Sequence, residues 1–172
     1  MKILRKILAI AYLTVVATDL AGASTVITVI SSKKNPAEEN RMVSGFDGIS
    51  SSGSYNVYIT MDNTESLRLE GDQEQISQID TKVENGILKI RNKKQMSHRT
   101  WSNRGKVNVY ITAKTLNSLV LSGSGDIEVK GRVNSEKFSN TISGSGSISS
   151  NLDVKDYTAT ISGSARSGQK EM

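Results

Sequence analysis

One short phrase, written three times, constrains this chain more than any other feature. It reads Ser122-Gly-Ser-Gly125, then Ser143-Gly-Ser-Gly146, then Ser162-Gly-Ser-Ala165, with starts 21 and then 19 residues apart. Leu121, Ile142 and Ile161 stand just before the three phrases, and Ile127 and Ile148 follow the first two at matched spacing. A unit of about 20 residues that keeps its apolar positions in step is the mark of coils stacked on their own copies. Leu121, Ile142 and Ile161 should then form one buried column, and Ile127 and Ile148 the next. The phrases fall where the backbone must bend between short strands. Glycine tolerates the dihedral angles needed there, and serine hydroxyls can bond local backbone groups. A meander of hairpins would also use glycine turns, but would show about twice as many per repeat. The expected fold is all-β, a parallel β-helix or solenoid with Gly-Ser-rich turns.

The segment before the repeat supports the same class. Tyr55, Val57 and Ile59 alternate with Asn56, Tyr58 and Thr60, the period of a strand with one buried face. Asp62-Asn63 makes a turn, Leu67 and Leu69 mark a return strand, and Asp72 is placed to cap one helical turn carrying Ile76 and Ile79. Asn85-Gly86 between Val83 and Ile87-Leu-Lys-Ile90 reads as a hairpin. Val107, Val109 and Ile111 repeat the alternation, and Leu116, Leu119 and Leu121 lead into the first phrase. Aromatics make up only 5% of the 172 residues, thin for a compact enzyme but sufficient for coils that each bury a few aliphatic side chains.

The N-terminus reads as an address. Met1-Lys-Ile-Leu-Arg-Lys6 is basic, Ile7–Ala17 is apolar, and Ala21-Gly-Ala23 offers small residues for a signal peptidase, so residues 1–23 are expected to be a signal peptide cut before Ser24. A retained membrane anchor is the competing reading, but 11 apolar residues fall short of the ~20 needed to span. No stable membrane span is expected after cleavage. Residues 24–40 read as a polar tether around the single proline, Pro36, and residues 41–172 as the folded domain. Removing the signal peptide lowers the formal charge from +5 to +3, too mild a bias to indicate nucleic acid. With no cysteine, disulfides, thiolate metal sites and Cys nucleophiles are excluded, as is lipid attachment at an N-terminal Cys.

The order Phe46-Asp-Gly-Ile49, Ser52-Gly53, Val57-Tyr-Ile59, Leu69-Glu-Gly-Asp72, Gly86-Ile-Leu-Lys-Ile90, Val107-Asn-Val-Tyr-Ile111, Leu116 and Leu121-Ser-Gly-Ser-Gly-Asp126 resembles the head GIN domain family. The resemblance covers roughly residues 41–165. It implies an exported bacterial protein of a kind common in Bacteroidetes, with a β-helix-like fold and an adhesin role, in the periplasm or at the cell surface. It carries over no catalytic residue, ligand or cofactor. In the family the last phrase normally runs into an Ile-x-Val strand and a glycine. Here Ser162-Gly-Ser-Ala165 runs into Arg166-Ser-Gly-Gln-Lys-Glu-Met172. A truncated last coil should expose the Ile142/Ile161 column and invite end-to-end self-association.

Candidates for chemistry are few. The Gly-rich phrases look like phosphate loops, but neither completes Gly-x-Gly-x-x-Gly nor continues into Gly-Lys-Ser/Thr. His98, the single histidine, sits in a charged loop and reads as solvated. Asn92–Lys106 is the most distinctive stretch, gathering Lys93, Lys94, Arg99, Arg104 and Lys106 around Trp101, the single tryptophan. A tryptophan face can stack on a sugar ring, and the cations can pair with uronate, sulfate or phosphate groups. A solubilising loop with Trp101 folded against the fold is the plainer reading. Lys93, Lys94, Arg99, Trp101 and Arg104 are therefore the ligand-binding candidates, toward a glycan or an envelope protein. Asp126, Glu128, Asp153 and Asp156 lie near repeat turns, as calcium-binding acids do in polysaccharide lyases. They form no ladder in step with the repeat, since Asp126 aligns with Ser147 and Glu128 with Ser149. A non-enzymatic, adhesin-like interaction domain without cofactor is the first expectation, and a lyase-like enzyme on the same scaffold the second.

Overall fold

A computed structural model describes residues 36–93, 106–164 and 166–169. Residues 1–35, which hold the expected signal peptide and most of the expected tether, lie outside the described residues. So do Lys94, His98, Arg99, Trp101 and Arg104.

The described chain is all-β. Its strands are β1 (Ala37–Arg41), β2 (Gly48–Ser52), β3 (Asn56–Met61), β4 (Ser66–Gly71), β5 (Ile79–Glu84), β6 (Ile87–Asn92), β7 (Asn108–Ala113), β8 (Ser118–Gly123), β9 (Asp126–Gly144), β10 (Ser147–Gly163) and β11 (Arg166–Gln169). All belong to one curled sheet, and helix α1 (Gln73–Ser77) is a single turn. Asp72 caps it as expected, accepting from the backbone N–H of Glu74 (3.0 Å) and Gln75 (3.4 Å). Asn85 and Gly86 both take positive φ (52° and 74°), the geometry that a two-residue hairpin turn requires between β5 and β6.

β9 and β10 run 19 and 17 residues, far beyond an ordinary strand. Each bends and serves two rows of parallel pairs. In one row β6, β2, β8, the end of β9 and the end of β10 follow one another. In the other, β7, β3, the start of β9, the start of β10 and β11 do the same. The three phrases lie in register across these layers: Ser122 pairs with Ser143, and Ser143 with Ser162. Leu121, Ile142 and Ile161 fall in one column and Ile127 and Ile148 in another, as the spacing predicts.

The register adds a fourth member. Ser52 pairs with Ser122, so Ser52-Gly-Ser-Tyr55 is the phrase one layer earlier, with tyrosine where later copies carry glycine. Tyr55 is fully buried and donates its hydroxyl to the Asn92 side chain, and burial pushes the phenol well above its ordinary pKa. The corners are crowded backbone against backbone. At Gly144 φ is 130°, and a Cβ there would overlap the Gly123 carbonyl; one on Gly146 would overlap the Gly125 carbonyl and lie 2.7 Å from Leu121 Cδ2. Glycine is needed for its missing side chain as much as for its dihedral freedom.

Two expectations change. The sheet begins inside the stretch read as tether, because Ala37–Asn40 belong to β1, antiparallel to β4. This is an edge strand with polar side chains on both faces, so it carries no apolar alternation. Its backbone ladder to β4 holds it, with side-chain bonds added: Arg68 meets Glu38 at 2.9 Å, and the Arg41 guanidinium donates to the Ile79 carbonyl (2.8 Å) and Thr81 Oγ1 (3.0 Å). Secondly, the tail after the third phrase has no apolar strand, as its sequence indicates, yet the coil is not cut off there. Arg166–Gln169 pairs with Ser147–Ser150, since backbone pairing needs no apolar side chain. Ile161 is indeed 47% exposed, but Ile142 is fully buried beneath it.

Candidate functional site

The corners linking the two rows differ sharply in length. Ser52 and Asn56, Ser122 and Asp126, and Ser143 and Ser147 each enclose three residues. Arg91 and Asn108, their counterparts in the β6–β7 layer, enclose sixteen. The candidate stretch Lys93–Arg104 is therefore an expansion of one corner of the stack. Of its five candidate residues the structure describes Lys93 alone. That residue is tied down: its backbone N–H donates to the Gln78 carbonyl (2.9 Å) and its ammonium to the Ser77 carbonyl (2.7 Å). It anchors the root of the corner more than it offers a free charge. The described chain resumes at Lys106, whose ammonium lies 3.7 Å from Asp126 Oδ2, and Val107 is fully buried.

Beside this corner runs a feature that the sequence reading passed over. Asn56-Val-Tyr-Ile-Thr60 and Asn108-Val-Tyr-Ile-Thr112 are identical pentapeptides, and they pair residue for residue as β3 and β7. Alternation sends Val57, Ile59, Val109 and Ile111 into the core and the polar residues out. Asn56 Nδ2 donates to Asn108 Oδ1 at 3.1 Å, and Tyr58 stacks on Tyr110 with centroids 5.3 Å apart and planes 21° off parallel. Arg68 lies 4.3 Å over the Tyr110 ring, and Lys130 lies 5.9 Å from the Tyr58 centroid. The identity of the two pentapeptides is the signal that could have revealed this strip.

Its chemistry follows from its geometry. One Tyr110 face is covered by Arg68 and the two rings cover each other, so the strip offers ring edges and hydroxyls rather than an open stacking platform. Partial burial, with the Glu70 carboxylate nearby and accepting its hydrogen bond, raises the Tyr110 pKa and engages its hydroxyl proton. Past Tyr58 the surface opens into a shallow recess of about 490 Å³ lined by Glu128, Lys130, Arg132, Ser149 and Asn151 among others, beside the register shift between Ser149 and Asn151. The carboxylates of the sequence reading disperse. Asp126 accepts from Ser147 Oγ (2.7 Å), Asp153 lies 3.5 Å from Arg132, and Glu128 lines the recess. Among the described residues no three His, Cys, Asp or Glu side chains gather as a metal site would require.

No curated protein is similar enough to this chain to count as a relative. Solved structures share the fold. A "Putative lipid binding protein" from Parabacteroides distasonis superposes with a TM-score of 0.66 at 20% identity, covering 81% of this chain and 60% of its own. A "putative adhesin" from the same species gives 0.58 at 18% identity, covering 79% and 65%. The chain thus spans somewhat under two thirds of the length of these two proteins. The family model described as "Putative auto-transporter adhesin, head GIN domain" matches residues 45–169, from the strand before the first corner to the last strand of the stack. The chain belongs to the head GIN domain family.

Proposed function

We propose that this chain is an exported, non-enzymatic, adhesin-like interaction domain of the bacterial cell envelope, built as a short parallel β-solenoid. Its ligand surface is the expanded β6–β7 corner with the adjoining Tyr58–Tyr110 strip. The observation that carries this reading is the corner itself. Where the other corners take three residues, this one takes sixteen, and it holds Lys94, Arg99, Trp101 and Arg104. Loops that grow out of a regular scaffold are where binding residues concentrate. The strip supplies fixed hydroxyl and cationic partners at the root of the corner, and Trp101 supplies the stacking face that the strip lacks. Together they suit an anionic glycan, with a protein partner of similar chemistry as the alternative.

The second reading, a polysaccharide-active enzyme, is favoured by the recess, where Glu128 stands with Lys130 and Arg132. Glycan-array binding of wild type and Trp101→Ala separates the two. Stacking contacts are worth roughly 1–3 kcal/mol each, so Trp101→Ala should weaken an anionic glycan about fivefold or more. Absence of glycan binding, with the variant unchanged, removes the corner from consideration. Release of unsaturated product from polyuronate, abolished by Glu128→Gln, would establish the enzyme reading instead.

A further inference from the structure

The second half of β10 is the outermost strand of its row. Its partner is β9, while β11 pairs with Ser147–Ser150 alone, so no described residue covers the other side of Asp156–Gly163. Tyr157 and Ile161, at 38% and 47% exposed, are two of the three exposed large hydrophobic residues among those described. From Tyr157 to Gly163 there is no charge, proline or bulge, the devices by which exposed edges ordinarily avoid pairing. The strand is also held ready. Tyr157 stacks on Phe138 at 6.4 Å, and its hydroxyl meets Asn140 Nδ2 (3.0 Å) and Ser167 Oγ (3.2 Å).

We propose that this edge docks the same edge of a second copy of the chain, antiparallel about Ala159, to give a closed dimer. The self-complementarity of the strand argues for that occupant. A two-fold axis through Ala159 sets Tyr157 opposite Ile161 and Thr158 opposite Thr160, each pair occurring twice. Aromatic to β-branched and threonine to threonine are favourable cross-strand neighbours. The two charges of the strand's start, Lys155 and Asp156, face Gly163 and Ser162 of the mate, so no like charges meet. The far end of the stack offers no comparable partner: β5 there carries Asp80, Lys82 and Glu84, each already in an ion pair. Pairing of like edges therefore closes at two copies instead of extending into a fibre. The proposal does not depend on the ligand reading.

Sedimentation of the full chain should show a dimer. Thr158→Lys with Thr160→Lys puts lysine opposite lysine on an exposed face and should yield a folded monomer whose melting curve matches that of wild type at dilutions where copies do not pair. Thr158→Lys with Thr160→Glu puts lysine opposite glutamate and should restore the dimer. Because the chain has no cysteine, Ala159→Cys should cross-link to its mate on oxidation, while Asn63→Cys should not. A wild type monomeric up to about 100 µM, beyond which no stable dimer is meant, overturns the proposal. A dimer that survives the double lysine variant also overturns it, and loss of dimer in both charge variants or an unlinked Ala159→Cys dimer overturns the register.

Discussion

The two ends of the stack are built from the same strand chemistry and finished in opposite ways. At one end β5 and β4 return antiparallel over β6 and β7, and β1 covers β4. Their polar faces are stitched by Arg68–Glu38, Arg91–Asp80 and Lys89–Glu84, and Ile90 and Val109 beneath them are fully buried. At the other end no described residue covers the last layer, and Ile161 is half exposed beside a fully buried Ile142. Among the described residues each parallel strand row is buried by its neighbours, and the outermost strand lacks one on its far side.

The largest test of this contrast is at glycine. Gly146→Ala would drive a Cβ into the Gly125 carbonyl inside the stack, and should cost about 3 kcal/mol or more by urea denaturation. Gly168→Ala in β11 meets nothing within 4 Å, and should change stability by less than about 0.5 kcal/mol. Equal losses would mean that the end is as tightly packed as the middle. Next comes the aliphatic column. Leu121→Ala, fully buried, should cost about 3 kcal/mol, whereas Ile161→Ala should cost about 1 kcal/mol or less at dilutions where copies do not pair.

The smallest effect belongs to the covered end. Hydrogen bonds from Lys89 and Lys82 lower the Glu84 pKa from 4.5 to about 2. With the folded value below the unfolded one, the contribution is present above pH 4.5 and is lost as pH falls toward 2. A small stability difference between wild type and Glu84→Gln at pH 6 should therefore shrink by pH 3, and shrink further in salt. A difference unchanged across that range would show that the pair contributes nothing through its charge.

Much of the site escaped a linear reading for one reason. The Tyr58–Tyr110 strip joins pentapeptides 52 residues apart, and β7 enters the sheet between β3 and β4, which read as consecutive hairpin strands. The first corner was hidden because Tyr55 stands where later copies carry glycine. Its kinship shows only when Ser52 is seen paired with Ser122. β1 was hidden because an edge strand joined by backbone pairing, with polar side chains on both faces, has the composition of a linker. The cationic stretch around Trp101 was legible as composition. That it expands one corner of a regular stack was not.

By itself the sequence determined what acts over short range. That includes the period-two alternation of the strands, the Asp72 cap, the Asn85-Gly86 turn and the glycines that let successive corners approach. It also includes the step of about 20 residues that brings Leu121, Ile142 and Ile161 into one column. Only the tertiary structure decided which strands neighbour which, which end of the stack is covered, and which outward side chains meet. Those outcomes depend on backbone pairing between segments far apart in the chain, for which almost any alternating strand is locally acceptable. Burial of the shared core selects among them.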